Sequence, residues 1–289
     1  MIAGGRSRNS LVKDFLRRTG HDDEKAVIEL AQRLVKDADM KPPIDVFRLA
    51  RFYGVEVREV EGMRLDGQVI PLKDGFIIEV AKEKPVKRKR FTIAHELIHI
   101  FLLKEGLVLL DTLHELESLI PLMRRRIERL CDIGASEILM PSHFFEPKLK
   151  DYGISVDALF RLRREFQTSI TSTAIRIVRA SNSCAFVFWK FMSKPGDVED
   201  FRVSWSIAPK GIFIPRYDRA FSHHMNLHTV YEALTSSRGR SCGIEEINWL
   251  GNLKGRYYVE SVVMRNHDSN IPGVLSLIHL NRQNRWRDD

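Results

Sequence analysis

Residues 90–99 read Arg-Phe-Thr-Ile-Ala-His-Glu-Leu-Ile-His, which places His95 and His99 four apart with Glu96 directly after the first. On a helix, ~100° per residue leaves positions i and i+4 about 40° apart and one turn on, so both imidazoles point the same way. Two nitrogens from one rigid turn suit a tetrahedral Zn²⁺ at ~2.0–2.1 Å. Glu96 sits where it can reach a water at such an ion and take its proton, so this HExxH spacing predicts a hydrolytic zinc centre. The neighbouring residues are apolar, and unpaired polar groups are costly to bury there, which argues against two chance surface histidines.

A catalytic zinc site needs a third protein ligand and an open fourth position. No third histidine follows at short spacing, because the chain continues Ile-Phe-Leu-Leu-Lys-Glu-Gly after His99. The ligand must come from a later helix, and Glu128 in Arg126-Ile127-Glu128-Arg129-Leu130-Cys131-Asp132 is the preferred candidate. Asp132 lies one turn further on the same face and suits the second ring N–H of His95 or His99. A Glu-x-x-x-Asp after an HExxH helix is the arrangement of thermolysin-like zincins. Glu137 competes, but nine residues amount to about 900°, half a turn out of phase with Glu128. Glu115 and Glu117 compete as well if the loop that holds them folds inward. Cys131 reads as a buried packing residue rather than a soft ligand. His114-Glu115 lacks the second histidine because Ser118 stands there, and His223, His224 and His228 read as a loop cluster.

The elements that must position these groups follow from periodicity. Helices are expected over Ala26–Ala38, from Asp45 as a cap to Gly54, from Lys89 to Lys104, and from Leu119 to Met140 before Pro141. Strands are expected over Val55–Val60, Gly67–Ile70 and Gly75–Val80, the last two joined by a turn at Lys73-Asp74. The Phe76–Val80 strand is the expected edge for pairing with an extended substrate. Two short helices, Ser155–Phe166 and Ser169–Ala180, joined by Gln167-Thr168, resemble a helix-turn-helix. From Cys184 the chain turns strand-rich, with runs at Ala185–Phe191, Phe201–Ile207, Ile244–Leu250, Arg256–Met264 and Val274–Leu280. Trp189, Trp205, Trp249 and Tyr257 are expected in its core.

Composition sets the frame. The chain has 289 residues, 44% hydrophobic and 29% charged, a profile of globular domains. No run nears the ~20 apolar residues of a membrane helix, and the basic start lacks the apolar segment of a secretory signal, so the cytoplasm is expected. Three cysteines, Cys131, Cys184 and Cys242, are too few and too scattered for a disulfide framework or a thiolate zinc knot. The net charge of +8 is spread, with knots at 87–90, 124–126 and 161–164, and it permits but does not require DNA contact.

The strings RFTIAHELIHIFL and IERLCDIGASEILMP, preceded by PPIDVFRLARFYGVEV, resemble the ImmA/IrrE family of metallopeptidases. The resemblance covers about residues 25–145. It implies a zinc-dependent endopeptidase that cleaves a helix-turn-helix repressor and relieves repression in a stress or DNA-damage response. Its metal ligands map onto His95, His99 and Glu128 and its catalytic glutamate onto Glu96, with Mn²⁺ able to replace Zn²⁺ on such ligands. Position 132 is commonly asparagine in that pattern, so the part given to Asp132 is read from this chain.

The expected fold is α+β: a flexible basic arm over residues 1–20, a zincin-like helical peptidase domain with a small sheet over 21–148, a helix-turn-helix-like segment over 149–183, and a GAF-like α/β domain over 184–289. The last two follow from the longer radiation-response members of the family. Two rival functions remain: a DNA-binding regulator using residues 155–180, and a ligand-sensing regulator with a vestigial metal site. The intact general base opposes the second.

Overall fold

In the computed structural model, residues 20–104, 120–192, 200–215, 220–221, 228–248, 250–264 and 273–280 are described. The chain folds as α+β in two compact units. One runs through Phe145 and includes Arg164–Ser169; the other comprises Glu146–Arg163 and the chain from Ile170 on. The expected arm, His114, Glu115, Glu117, His223, His224 and Trp249 lie outside the described residues.

In the first unit, helix α1 spans Gly20–Asp37. Helix α2 spans Val46–Phe52, and the Asp45 side chain caps it by accepting the N–H groups of Phe47 and Arg48. Three strands follow, β1 over Val55–Val60, β2 over Gly67–Leu72 and β3 over Gly75–Ala81. Their order is β1-β3-β2, with β1 parallel and β2 antiparallel to β3. The expectation that β3 offers a free edge is therefore corrected: it is the central strand. The reason is compositional. β3 carries Phe76, Ile77, Ile78, Val80 and Ala81, whereas β1 carries charges and β2 carries Pro71, features suited to edges.

Helix α3 spans Val86–Lys104 and packs on β2 and β3. Its first turns hold Lys87-Arg88-Lys89-Arg90, the wrong sign for a helix N-terminus. Acids from the sheet side answer two of these cations and Lys84 just before the helix. Asp66 meets Lys84 at 2.8 Å and the Arg88 Nε at 2.6 Å, and Glu59 meets Lys89 at 2.7 Å. The hydrogen bonds from Lys84 and then Arg88 hold the Asp66 carboxyl below its usual range. Asp66 directly precedes β2, so these contacts tie the start of that strand to α3. Arg90 is buried and donates to Gln167 Oε1 at 3.1 Å and to the Phe166 carbonyl at 3.3 Å.

Helix α4 spans Ile120–Leu139 and lies against both α1 and α3. Gly134 makes this possible, since a Cβ there would fall 2.7 Å from Ile98 Cδ1 and 2.9 Å from Val27 Cγ1. Glu137 is fully buried, and its carboxylate accepts Gln32 Nε2 at 3.0 Å, the Ser142 N–H at 2.7 Å and the Ser142 hydroxyl at 2.8 Å. It thereby caps helix α5, Ser142–Tyr152, which sequence patterning does not reveal because Pro147 sits inside it.

Helices α6, Val156–Phe166, and α7, Ile170–Ser181, fall within one residue of expectation. In the second unit, six strands form an antiparallel sheet of order β6-β5-β4-β9-β8-β7. They span β4 Cys184–Met192, β5 Asp200–Ile207, β6 Ala220–Phe221, β7 Arg240–Ile247, β8 Gly255–Met264 and β9 Gly273–His279. Strand β7 starts four residues before the expected run at Ile244. Its inward positions are Glu245 and Ile247, while Ile244 faces outward at 41% exposure, so the apolar residues do not keep to one face.

Glu245 accepts from the N–H of Thr229 at the start of helix α8, His228–Thr235, an element expected to be a loop. From there a buried chain runs through the hydroxyls of Thr229, Ser261 and Ser276 to the indole N–H of Trp189. Trp189 and Tyr257 are core residues, as expected; Trp205 is half-buried.

Replacing Glu137 with alanine removes the buried acceptor of three half-buried donors. We expect a loss of about 2–3 kcal/mol, read as a lower urea midpoint, with the glutamine variant losing less.

Candidate metal centre

Two helices meet at the histidines. Along α3, Ile93, Ala94, Leu97 and Ile98 are buried and fix the helix, which leaves His95, Glu96 and His99 half-buried along one side. Along α4, Glu128 and Asp132 are one turn apart and face them. His95 Nε2 lies 3.1 Å from His99 Nε2 and 3.2 Å from Glu128 Oε2, and His99 Nε2 lies 3.5 Å from Glu128 Oε1. Four ligands at ~2.0–2.1 Å around a tetrahedral ion stand roughly 3.3 Å from one another, so these three separations fit a zinc-sized cation.

Asp132 Oδ1 lies 3.0 Å from His95 Nδ1. That contact gives Nδ1 the proton and leaves Nε2 as the donor atom facing His99. Of the two rings, either of which the sequence allowed, His95 receives the acidic partner.

The electrostatics follow from burial against three acids. Burial alone would depress His95, but the hydrogen bond to Asp132 and the charges of Asp132, Glu96 and Glu128 together raise its pKa above the usual value. His99 moves the other way, held down by burial and then by His95, with Glu128 and Asp132 offsetting part. Burial first, and the charge of Glu128, push the Glu96 carboxyl above its usual range against the pull of His95. A desolvated carboxylate of that kind is a better base than one in water. Cys131, fully buried on the same face of α4, has its thiol pKa pushed far up by burial and then by Glu128, Glu96 and Asp132. It is a neutral S–H at pH 7.

The structure brings His95, His99 and Glu128 together, and Glu96 projects beside them toward β2. Glu137 is committed to Gln32 and Ser142 instead. His143 lies in the first turn of α5 and His228 begins α8. Gly67 belongs to the site without having been expected there. A Cβ at this position would meet Thr92 Cγ2 at 2.3 Å and Glu96 Cγ at 3.6 Å, so β2 crosses α3 directly at the HExxH. The available signal was a glycine opening a strand, which marks close backbone approach.

Residues 53–178 match the IrrE N-terminal-like domain of the M78 peptidases, a family of metallopeptidases. That match and two deinococcal relatives support the resemblance to the ImmA/IrrE family that the motifs led us to expect. The chain is 34% identical over 119 residues to the radiation response metalloprotease IrrE of Deinococcus deserti, covering 39% of this chain and 42% of that protein. The corresponding protein of Deinococcus radiodurans is 32% identical over 107 residues, 37% of this chain and 31% of that one. The matched stretch thus spans less than half of either relative. A Mycobacterium tuberculosis transcriptional regulator shares the fold at a TM-score of 0.55 and 15% identity, over 93% of this chain and 80% of that one. Among the described residues, no helix is long and apolar enough to cross a membrane.

The opposed shifts of the histidines are testable in cation-free protein by NMR titration. His95 should stay protonated to higher pH than His99, and Asp132→Asn should lower the His95 value. Because the folded value of His95 is raised, its contribution to stability is complete below the ordinary pKa of ~6.5 and is lost as pH rises through the raised one. His99 has the opposite sign and costs stability at low pH.

Proposed function

We propose that the chain is a zinc-dependent endopeptidase that cleaves a helix-turn-helix repressor and so relieves repression after stress or DNA damage. The observation that carries this reading is the set of ligand-like separations among His95, His99 and Glu128, with Glu96 alongside. His95, His99 and Glu128 would hold the cation, zinc in the first instance and manganese as its substitute, with Asp132 fixing the His95 ring. A cation there supplies Lewis-acid chemistry toward a peptide carbonyl and makes water easier to deprotonate. Glu96 takes the proton of the attacking water as the C–O bond forms and then passes it to the amide nitrogen, whose protonation lets the peptide C–N bond break.

The substrate is placed by β2. Its outer edge, unpaired among the described residues, runs across α3 at Glu96, with Gly67 at the crossing. Pro71 has no N–H for the ladder, so its nitrogen belongs on the outer side. Alternation along the strand then puts the N–H and C=O of Gly67 and Val69 outward as well. An extended segment of the repressor pairs there and is drawn past Glu96. Replacing Val69 with proline removes one of those donors at no cost to the β2–β3 pairing.

The family match and the names of the deinococcal relatives support a proteolytic, stress-linked role and a zincin-like reading of the first unit. The antiparallel six-stranded sheet with α8 against β7 and β8 supports a GAF-like sensory reading of the second. DNA contact by the α6–α7 pair stays secondary, because Phe166 and Thr168 in the turn are buried and Arg90 engages it. The setting is the cytoplasm, where such a repressor would be met.

Incubation of the purified chain with a small repressor encoded beside it should give zinc-dependent cleavage that chelation stops and zinc restores. Glu96→Gln should keep its metal and lose about 10²–10⁴-fold in kcat. Cleavage at the wild-type rate by that variant, or in the presence of chelator, would overturn the reading. For strand pairing, Val69→Pro should lower kcat/KM by about tenfold or more with an unchanged melting temperature; wild-type kinetics in this variant would remove β2 from the account.

A further inference from the structure

The face that α4 turns toward the imidazoles holds one group that the proposed reaction does not use. The Cys131 Sγ and a ring nitrogen from each of His95 and His99 all lie within 4.8 Å of one another. Among the described residues the thiol has no hydrogen-bond partner. Cys131 is fully buried, whereas the Glu128 side chain is 52% exposed. Besides Asp132 behind His95, the imidazole pair thus has a carboxylate from this helix on the open side and a thiol on the closed side.

We propose that Cys131 gives this centre a second, inhibitory mode, in which a thiophilic cation such as Cd²⁺ is held by His95, His99 and Cys131 in place of Glu128. The inference rests on reading both histidines as cation ligands. Magnitudes decide which mode each cation takes. The Glu128 oxygens stand 3.2 and 3.5 Å from the two Nε2 atoms, already close to tetrahedral spacing, so a borderline ion such as Zn²⁺ gains little from reaching inward. The sulfur, within 4.8 Å of the ring nitrogens, must close by at most about 1.2 Å to reach the roughly 3.6 Å separation that metal–sulfur and metal–nitrogen bonds of ~2.3 and ~2.0 Å require. Only a cation with a strong preference for soft ligands offsets that movement. In the step, the S–H bond breaks, the S–Cd bond forms, and the proton leaves to solvent by way of the exposed Glu128; no electrons are exchanged. The cation is drawn to the closed side, away from the mouth where substrate enters, and the anionic sulfur weakens it as a Lewis acid.

The test uses the full chain with Cys242→Ser, which removes the exposed thiol. Titration of the cation-free protein with Cd²⁺ should give an ultraviolet sulfur-to-cadmium charge-transfer band that saturates at one equivalent, and ¹¹³Cd NMR should show a single resonance shifted as one sulfur ligand requires. Adding Cys131→Ser should abolish the band and weaken Cd²⁺ by at least about tenfold, while Zn²⁺ affinity changes less than about threefold. Should that variant not fold, the ¹¹³Cd shift of the parent decides alone. Stoichiometric Cd²⁺ binding without a sulfur signature, or a band that survives Cys131→Ser in folded protein, overturns the proposal and leaves the zinc reading standing. Failure of both Zn²⁺ and Cd²⁺ to bind at one equivalent overturns both.

Discussion

Everything in the first unit depends on how closely α3 and α4 can approach. Side chains of ordinary length reach a common point from two helices only if the backbones between them nearly touch. The contact of Gly134 with Ile98 and Val27 sets that separation, and Cys131 and Ala135 keep the rest of the α4 face small. Given this apposition, the spacing of four on one helix and the spacing of four on the other bring His95, His99, Glu128 and Asp132 together without distortion of either helix. A larger residue at 134 would act on the site from a full turn away, by moving the helix that carries it.

The sheet and the basic start of α3 serve the same arrangement from the other side. Cations at a helix N-terminus are unfavourable by themselves, but here they reach Asp66 and Glu59, which fasten the strands to the helix. Gly67 lets β2 settle onto α3 at Glu96. The general base is consequently roofed by backbone and half removed from water, which raises its affinity for a proton. One close contact thus positions the substrate edge and tunes the acid–base group together.

Much of this was legible in the residues. The HExxH turn, the exclusion by helical phase of a site shared by Glu128 and Glu137, the Asp45 cap and the β2–β3 turn all rest on local rules, and local rules survive folding. What stayed hidden depends on neighbours distant in sequence. That β3 is central rather than an edge is decided by β1 returning beside it. Helix α5 is legible only once Glu137 is known to turn away from the histidines and cap it, since Pro147 alone argues against a helix. Strand β7 and helix α8 share a cause: Glu245 is an inward-facing acid because Thr229 meets it, and neither residue announces the other in the sequence.

The buried chain from Trp189 to Glu245 has a sense of direction. An indole can only give a hydrogen, and at the far end Glu245 Oε1 receives the Thr229 hydroxyl, so each hydroxyl between them has its rotor set by its place in line. Thr229, Ser261 and Ser276 hand hydrogens one way, from β4 through β9 and β8 to the head of α8. Four elements separated in sequence by up to 87 residues are therefore oriented by a single polarity. Removing either terminus would release the hydroxyl beside it and leave the row polarised from one end alone.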